Sequence, residues 1–211
     1  MSASPIEILK QQMREKFPQA HGMRQELGFG AGAGKPFEVE TFPAYAISEV
    51  IPAGPDSGIS LLVAGLLGDP VESCSHPEFI LIDGADAFDP GSFTPEACAR
   101  LLWVRCSTGQ QMMRAADLVI NDGNLSFVIL DSTGLSAAEL SRIPASSWRR
   151  LKLSAERNGS RIVVISTCQM VPCASLRLTL STELSLHDFD STREDLLARL
   201  KPASSALRHV N

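Results

Sequence analysis

The sequence predicts an α/β domain with a mainly parallel sheet covered by helices on both faces. Apolar runs of about four to six residues alternate with helical stretches of about twelve, the pattern of repeated βαβ units. Two of those runs, FVIL at 127–130 and IVVI at 162–165, are continuous rather than alternating, as strands buried on both faces are. Beyond Pro172 the period changes to two: Leu176, Leu178 and Leu180 alternate with Arg177, Thr179 and Ser181, the signature of a strand with one wet face.

Taken along the chain, Ile6, Leu9, Met13 and Phe17 recur at intervals of three and four, which predicts a helix from about Pro5 to Lys16 ended by Pro18. The glycine-rich GFGAGAGKP that follows, to Pro36, predicts a flexible connector, because each glycine loses much backbone entropy on ordering. It contains G-x-G spacing, but no apolar strand leads into it, so it reads as a linker rather than a phosphate cradle. From Tyr45 the strands are YAISEVIPA, EFILIDGA, LLWVRC, SFVILDST and RIVVIST. The helices between them are SGISLLVAGLL, TGQQMMRAADLVIND and PASSWRRLKLSAERNG, the last with Trp148, Leu151 and Leu153 expected to face inward. The period-two segment is placed as an antiparallel edge strand. The tail predicts a short helix capped by Asp190 or Ser191, with Glu194 and Asp195 in its first turn, Leu196, Leu197 and Leu200 on one side, and Pro202 as its stop. Three parts result: an arm over 1–41, a core over 42–186 and a C-terminal helix and tail over 187–211.

Composition bounds the function. The 211 residues suffice for one domain of ordinary size, and the 44% hydrophobic and 20% charged fractions are globular values. A net charge of −5 gives no general positive field toward nucleic acid or an anionic membrane. The N-terminus carries charges where a signal peptide needs an apolar core, and no apolar stretch is long enough to span a bilayer, so a cytoplasmic protein is expected. Five cysteines, Cys74, Cys98, Cys106, Cys168 and Cys173, are odd in number and irregularly spaced, which fits free thiols better than zinc or disulfides. Asp83, Asp86 and Asp89 put three carboxylates in seven residues, but with no histidine beside them they read as loop caps rather than a metal site.

The segment with chemical content is AGPDSGISLL, residues 53–62. Phosphate-binding α/β proteins place a glycine-rich turn between a first strand and a helix, where backbone N–H groups, a lysine and a serine or threonine surround the phosphates. Here Gly54, Ser57 and Gly58 could form the turn and Ser60 could stand in the Mg²⁺-binding position, while Ile59 occupies the place of the lysine and the loop is one residue short. Without that ammonium the β- and γ-phosphates lose their main point charge. The partner element, an apolar strand ending in an acid, is FVILD ending at Asp131; such an Asp serves equally well as a cap.

The order SEVIPAGPDSG, FILIDGADAFDP, LLWVR, SFVILDS, RIVVIST resembles the RecA core, which implies a three-layer RecA-like (P-loop NTPase-type) fold. Within IDGADAFDP, residues 82–90, Ala85 stands where that family has its water-activating glutamate, and a methyl group is no general base. The glutamine that senses nucleotide is represented by Thr167, and the two DNA-contacting loops are reduced to Gly134–Pro144 and to CQMVPCA at 168–174. The run from Trp148 to Arg157 resembles more narrowly the RecA-like group that includes ImuA and SulA.

That resemblance implies a non-catalytic accessory protein of SOS mutagenesis and translesion synthesis with no cofactor. The implied partners are an ImuB-like polymerase homologue and RecA, with self-association through the N-terminal helix. A SulA-like division inhibitor and a weakly ATP-binding paralogue are the alternatives. The candidate interaction residues are Ile6, Leu9, Met13 and Phe17 on the first helix, Arg149, Arg150 and Arg157 on the basic helix, and Leu196, Leu197 and Leu200 near the end. Arg142, Lys152 and Arg161 extend the basic cluster, for which a solvated face is the simpler reading and DNA contact a weak alternative. His21, His76, His187 and His209 stand beside no nucleophile motif.

Overall fold

The computed structural model describes residues 39–54, 57–68, 78–84, 86–182 and 184–204. The strands are β1 (Ala46–Pro52), β2 (Phe79–Asp83), β3 (Leu101–Arg105), β4 (Phe127–Asp131), β5 (Arg161–Ile165), β6 (Leu176–Ser181) and β7 (Lys201–Ser204). They form one sheet in the order β3-β2-β4-β5-β1-β6-β7. Every pairing from β3 through β6 is parallel, and β7 joins β6 antiparallel. The helices are α1 (Ile59–Leu67), α2 (Pro95–Ala99), α3 (Gly109–Asp122), α4 (Ala137–Ser141), α5 (Ala145–Asn158) and α6 (Arg193–Leu197).

Continuous apolarity does what it should. All five residues of FILID and all five of FVILD are buried, because helices cover both faces of these strands. On one face Ile47, Ile82, Leu130 and Ile162 meet Met112 and Ile120 of α3 and Trp148 and Leu151 of α5. On the other, Val50, Leu81, Ile129 and Leu178 meet Leu62 and Leu66 of α1. The α3 boundaries follow from local chemistry: the Thr108 hydroxyl accepts from Gln111 N–H at the start, and Gly123 ends the helix at φ 74°.

Several expectations need correction. The segment Leu176–Ser181 is a parallel neighbour of β1, and the antiparallel edge is β7, which the sequence hides because it contains Pro202. An edge strand tolerates proline, whose missing N–H has no second neighbour to serve. The period-two pattern also misleads: Arg177 is buried rather than wet, its Nε 2.6 Å from Glu49 Oε2 on β1. Glu49 is itself fully buried, and its other oxygen accepts from Met170 N–H (2.7 Å) and Val171 N–H (3.0 Å). This pair ties the turn after β5 to the sheet. Thr192, not Asp190 or Ser191, caps α6, its hydroxyl accepting from Asp195 N–H. Leu153 points outward at 62% exposure, and Ser154 and Ala155 take the inward positions of α5. The stretch read as a reduced loop, Gly134–Pro144, holds α4, started by a reciprocal capping box between Ser136 and Glu139. The N-terminal helix with Ile6, Leu9, Met13 and Phe17, and the glycine-rich connector, lie outside the described residues.

Candidate functional site

A cleft of about 960 Å³ opens beyond the carboxyl ends of the strands, where open α/β sheets bind their ligands. Pro52, Ala53 and Gly54 leave β1 into it, Ser57, Ile59 and Ser60 enter from the start of α1, Asp131 arrives at the end of β4 and Thr167 follows β5. The fold therefore brings together five sequence-predicted positions: Gly54, Ser57, Ser60 and Asp131 line the cleft, and Gly58 sits within the same turn. The arrangement is compact at the turn itself. Ser57 is buried, and its hydroxyl donates to the Gly54 carbonyl, closing the loop on itself.

Gly58 is held in the left-handed region at φ 80°, as the N-cap of α1. A Cβ there would lie 2.5 Å from Leu200 Cδ2 and 2.7 Å from Thr182 Cγ2, so the residues just after β6 and just before β7 pack closely against the turn. This is a correction for Leu197 and Leu200, expected as surface contacts: both are buried core residues, because α6 and the start of β7 close the sheet face that carries α1. Leu196 is half-buried.

The position following Gly58 is Ile59, which lines the cleft and packs against the core with a branched alkyl chain. Among the described residues one cation lines the cleft, Arg193, carried in from α6. It is already engaged, donating to the Ser92 carbonyl and lying with its guanidinium carbon 5.1 Å from the Phe93 ring centre. The side of the cleft on which Arg193 lies is aromatic: Phe88 stacks on Phe93 at 5.0 Å, with Trp103 edge-on behind Phe88 at 5.3 Å.

The acids at the strand ends are neighbours, for Asp83 and Asp131 face each other in the β2–β4 register. Burial pushes the Asp131 carboxyl above its usual range; the Thr133 hydroxyl and N–H, donating at 2.7 and 2.9 Å, oppose that, and the nearby Asp83 charge adds to it. Asp83 is buried and accepts from the Trp103 indole N–H at 3.1 Å and from Phe88 N–H at 3.3 Å. Between the two strands Gly84 donates to the Asp131 carbonyl, and a Cβ on it would lie 2.9 Å from that oxygen, which accounts for glycine in IDGA. Asp86 instead binds Arg105 through both oxygens at 2.7 Å, and Asp89 accepts from Gly91 N–H. The three loop carboxylates thus serve three separate sets of partners. Ala85 lies outside the described residues.

Arg149 and Arg157 are exposed on α5, while Arg150 pairs with Asp117 of α3 at 3.0 Å and Arg161 donates to the Phe42 carbonyl. Sequence reasoning missed Arg193, Phe88, Phe93 and the Asp83–Trp103 bond. Only the two phenylalanines flanking Asp89 and Pro90 left a local trace; Arg193 reaches the cleft from the far end of the chain, which no spacing rule reveals.

No helix among the described residues is long and apolar enough to cross a membrane. No family model matches the chain, and no curated protein matches it. Among solved structures it is similar to the RadB recombinase, at 17% identity and a TM-score of 0.52, over 68% of this chain and 78% of that one. At that identity the likeness concerns the fold, and with the strand order above it establishes a three-layer RecA-like α/β fold, with a mostly parallel sheet and an antiparallel C-terminal edge.

Proposed function

We propose that this chain is a RecA-like protein that has given up nucleotide hydrolysis and works by binding other proteins. The observation that carries the reading is Ile59. It stands in the first turn of α1 at the mouth of the cleft, where the resemblance to RecA calls for a lysine. A triphosphate entering there meets an alkyl group, and the one lining cation among the described residues, Arg193, is already bonded to Ser92 and stacked on Phe93. Ala85 in the place of the water-activating glutamate points the same way.

The finer reading is an ImuA-like accessory role in DNA-damage tolerance, with an ImuB-like polymerase homologue and RecA as partners and self-association through the N-terminal helix. Its support is the resemblance of the Trp148–Arg157 run, whose Arg149 and Arg157 are exposed on α5 and free to meet a partner. A second reading, residual ATP binding, draws on one observation: Ser60 and Asp131 still line the same cleft.

Calorimetry with ATP and Mg²⁺ tests the first claim. We expect no saturable heat in the micromolar range; Mg²⁺-dependent micromolar binding overturns it and favours the second reading. Affinity purification from DNA-damaged cells tests the partners, with recovery of a polymerase homologue expected. Recovery of a tubulin-like division protein without any polymerase subunit replaces the ImuA-like role with a SulA-like one.

A further inference from the structure

A second concavity lies away from the strand-end cleft, between the start of α3, the short α4 and the start of α5. It encloses about 650 Å³. Arg114, Arg142 and Arg150 line it, over an apolar floor of Met113, Ile143 and Pro144. Among the described residues its one lining carboxylate is Glu139, which accepts from the Ser136 N–H and hydroxyl in the cap that begins α4. Arg150 is neutralised by Asp117, but among the described residues no carboxylate pairs with Arg114 or Arg142. In a chain of net charge −5, a lining with Arg114, Arg142 and Arg150 against Glu139 is a local excess of positive side chains.

Beside the groove the outer face of the α3–α5 pair carries two leucines in water. Leu118 is 75% exposed and Leu153 is 62% exposed, although Arg150–Asp117 and a Ser154–Asn121 hydrogen bond of 2.9 Å hold the two helices together at this seam. Large apolar side chains this exposed on two adjacent helices are features that contact surfaces share.

We propose that this groove and the adjoining leucines receive an acidic, leucine-containing segment of a protein partner, its carboxylates on Arg114 and Arg142 and its apolar side chains on Met113, Ile143 and Leu153. Paired arginines suit carboxylates through their planar donor forks. The observations favour peptide over nucleic acid: among the described residues no aromatic ring lines the groove for a base to stack on, its floor is apolar, and the net charge of the chain is negative. The inference rests on the reading of this chain as a protein-binding module and names the chemistry of its partner. It is tested separately from the nucleotide claim, because the groove and the strand-end cleft share no lining residue.

The test is fluorescence anisotropy of the full chain with a labelled Glu-Glu-Leu-Leu-Glu-Glu peptide, its glutamine counterpart, and single-stranded oligothymidine. Saturable binding of the acidic peptide is expected, weakening as salt is raised and falling by at least about tenfold in R114E/R142E. The milder R114Q/R142Q, which keeps side-chain length and polarity, covers the case in which charge reversal disturbs folding and should show a smaller loss in the same direction. Absence of saturable binding, equal affinity for the glutamine peptide, or an unchanged affinity in both variants overturns the proposal. Preferential binding of oligothymidine that the same substitutions abolish also overturns it, by giving the groove to nucleic acid.

Discussion

Replacing Gly58 by alanine should destabilise the fold through two separable effects. The backbone is at φ 80°, where an L-residue costs about 1–2 kcal/mol. The new methyl would also sit 2.5 Å from Leu200 Cδ2 and 2.7 Å from Thr182 Cγ2, an overpacking that costs about 1–3 kcal/mol once the neighbours shift. The sum is about 2–5 kcal/mol, a large share of the stability of an ordinary domain. Leu200→Ala by itself should cost about 2–5 kcal/mol, as a buried leucine truncated to alanine does. The informative variant is the double one. With Leu200 shortened, the nearest clash is gone, so the added cost of G58A should fall toward the backbone term plus the remaining contact with Thr182. Urea unfolding of the four proteins gives the coupling directly from their midpoints at a common slope. If G58A costs the same with and without Leu200, that side chain does not pack against the turn, and the account of the loop as clamped from behind is wrong.

Two further outcomes follow from buried charge. Glu49→Gln leaves the Arg177 guanidinium buried without its counter-ion and should cost about 3–5 kcal/mol in urea unfolding, whereas E49Q combined with Arg177→Met should recover much of that; a loss below about 1 kcal/mol for E49Q alone would refute a desolvated pair. Burial raises the Asp131 pKa in the folded state, so between the unfolded and folded values the native chain holds more protons, and this group's contribution declines as pH rises through the folded value. Asp131→Asn should therefore be more stable than the parent at neutral pH, with the gap closing toward acid; a gap that stays constant across the acid range refutes that assignment.

Most of the sheet was legible in the sequence because buried parallel strands have no choice but to be continuously apolar. FVILD and RIVVI could be read that way, and the helical stretches preceding them lie where α3 and α5 form. The edge was not legible, for two physical reasons. Arg177 breaks the rule that a charged residue in an alternating strand faces water, and only the distant Glu49 makes that burial tolerable. Pro202 argues locally against a strand, yet at an outer edge the objection lapses. The helix pattern of α5 failed at one position for a related reason: periodicity alone could not tell Leu153, left in water, from Leu151, fully buried two residues earlier. At the cleft, the turn residues and Asp131 were legible as a motif, since strand–turn–helix order is local. What fills their surroundings, Arg193, Phe93 and Leu200, arrives from other parts of the chain.

The two concave sites make opposite demands, and the same fold meets both. At the strand ends the cleft carries the Phe88 and Phe93 rings, an alkyl side chain at the start of α1 and, among the described residues, one cation, Arg193, that is already bonded to Ser92. On the helical layer Arg114 and Arg142, with no carboxylate partner among the described residues, lie on α3 and just after α4, and two exposed leucines lie on α3 and α5. Leaving Leu118 and Leu153 in water gains nothing for folding, and leaving Arg114 and Arg142 unpaired gains little, because exposed ion pairs contribute only about 0–1 kcal/mol in any case. Stability therefore does not explain this face, and the proposed recognition of an acidic, apolar segment offers it a role. A substitution series along α3 and α5 should accordingly separate from one in the sheet: changes at Arg114, Arg142 and Leu153 should leave the urea midpoint where it is while altering peptide affinity, and changes at Glu49 or Gly58 should do the reverse.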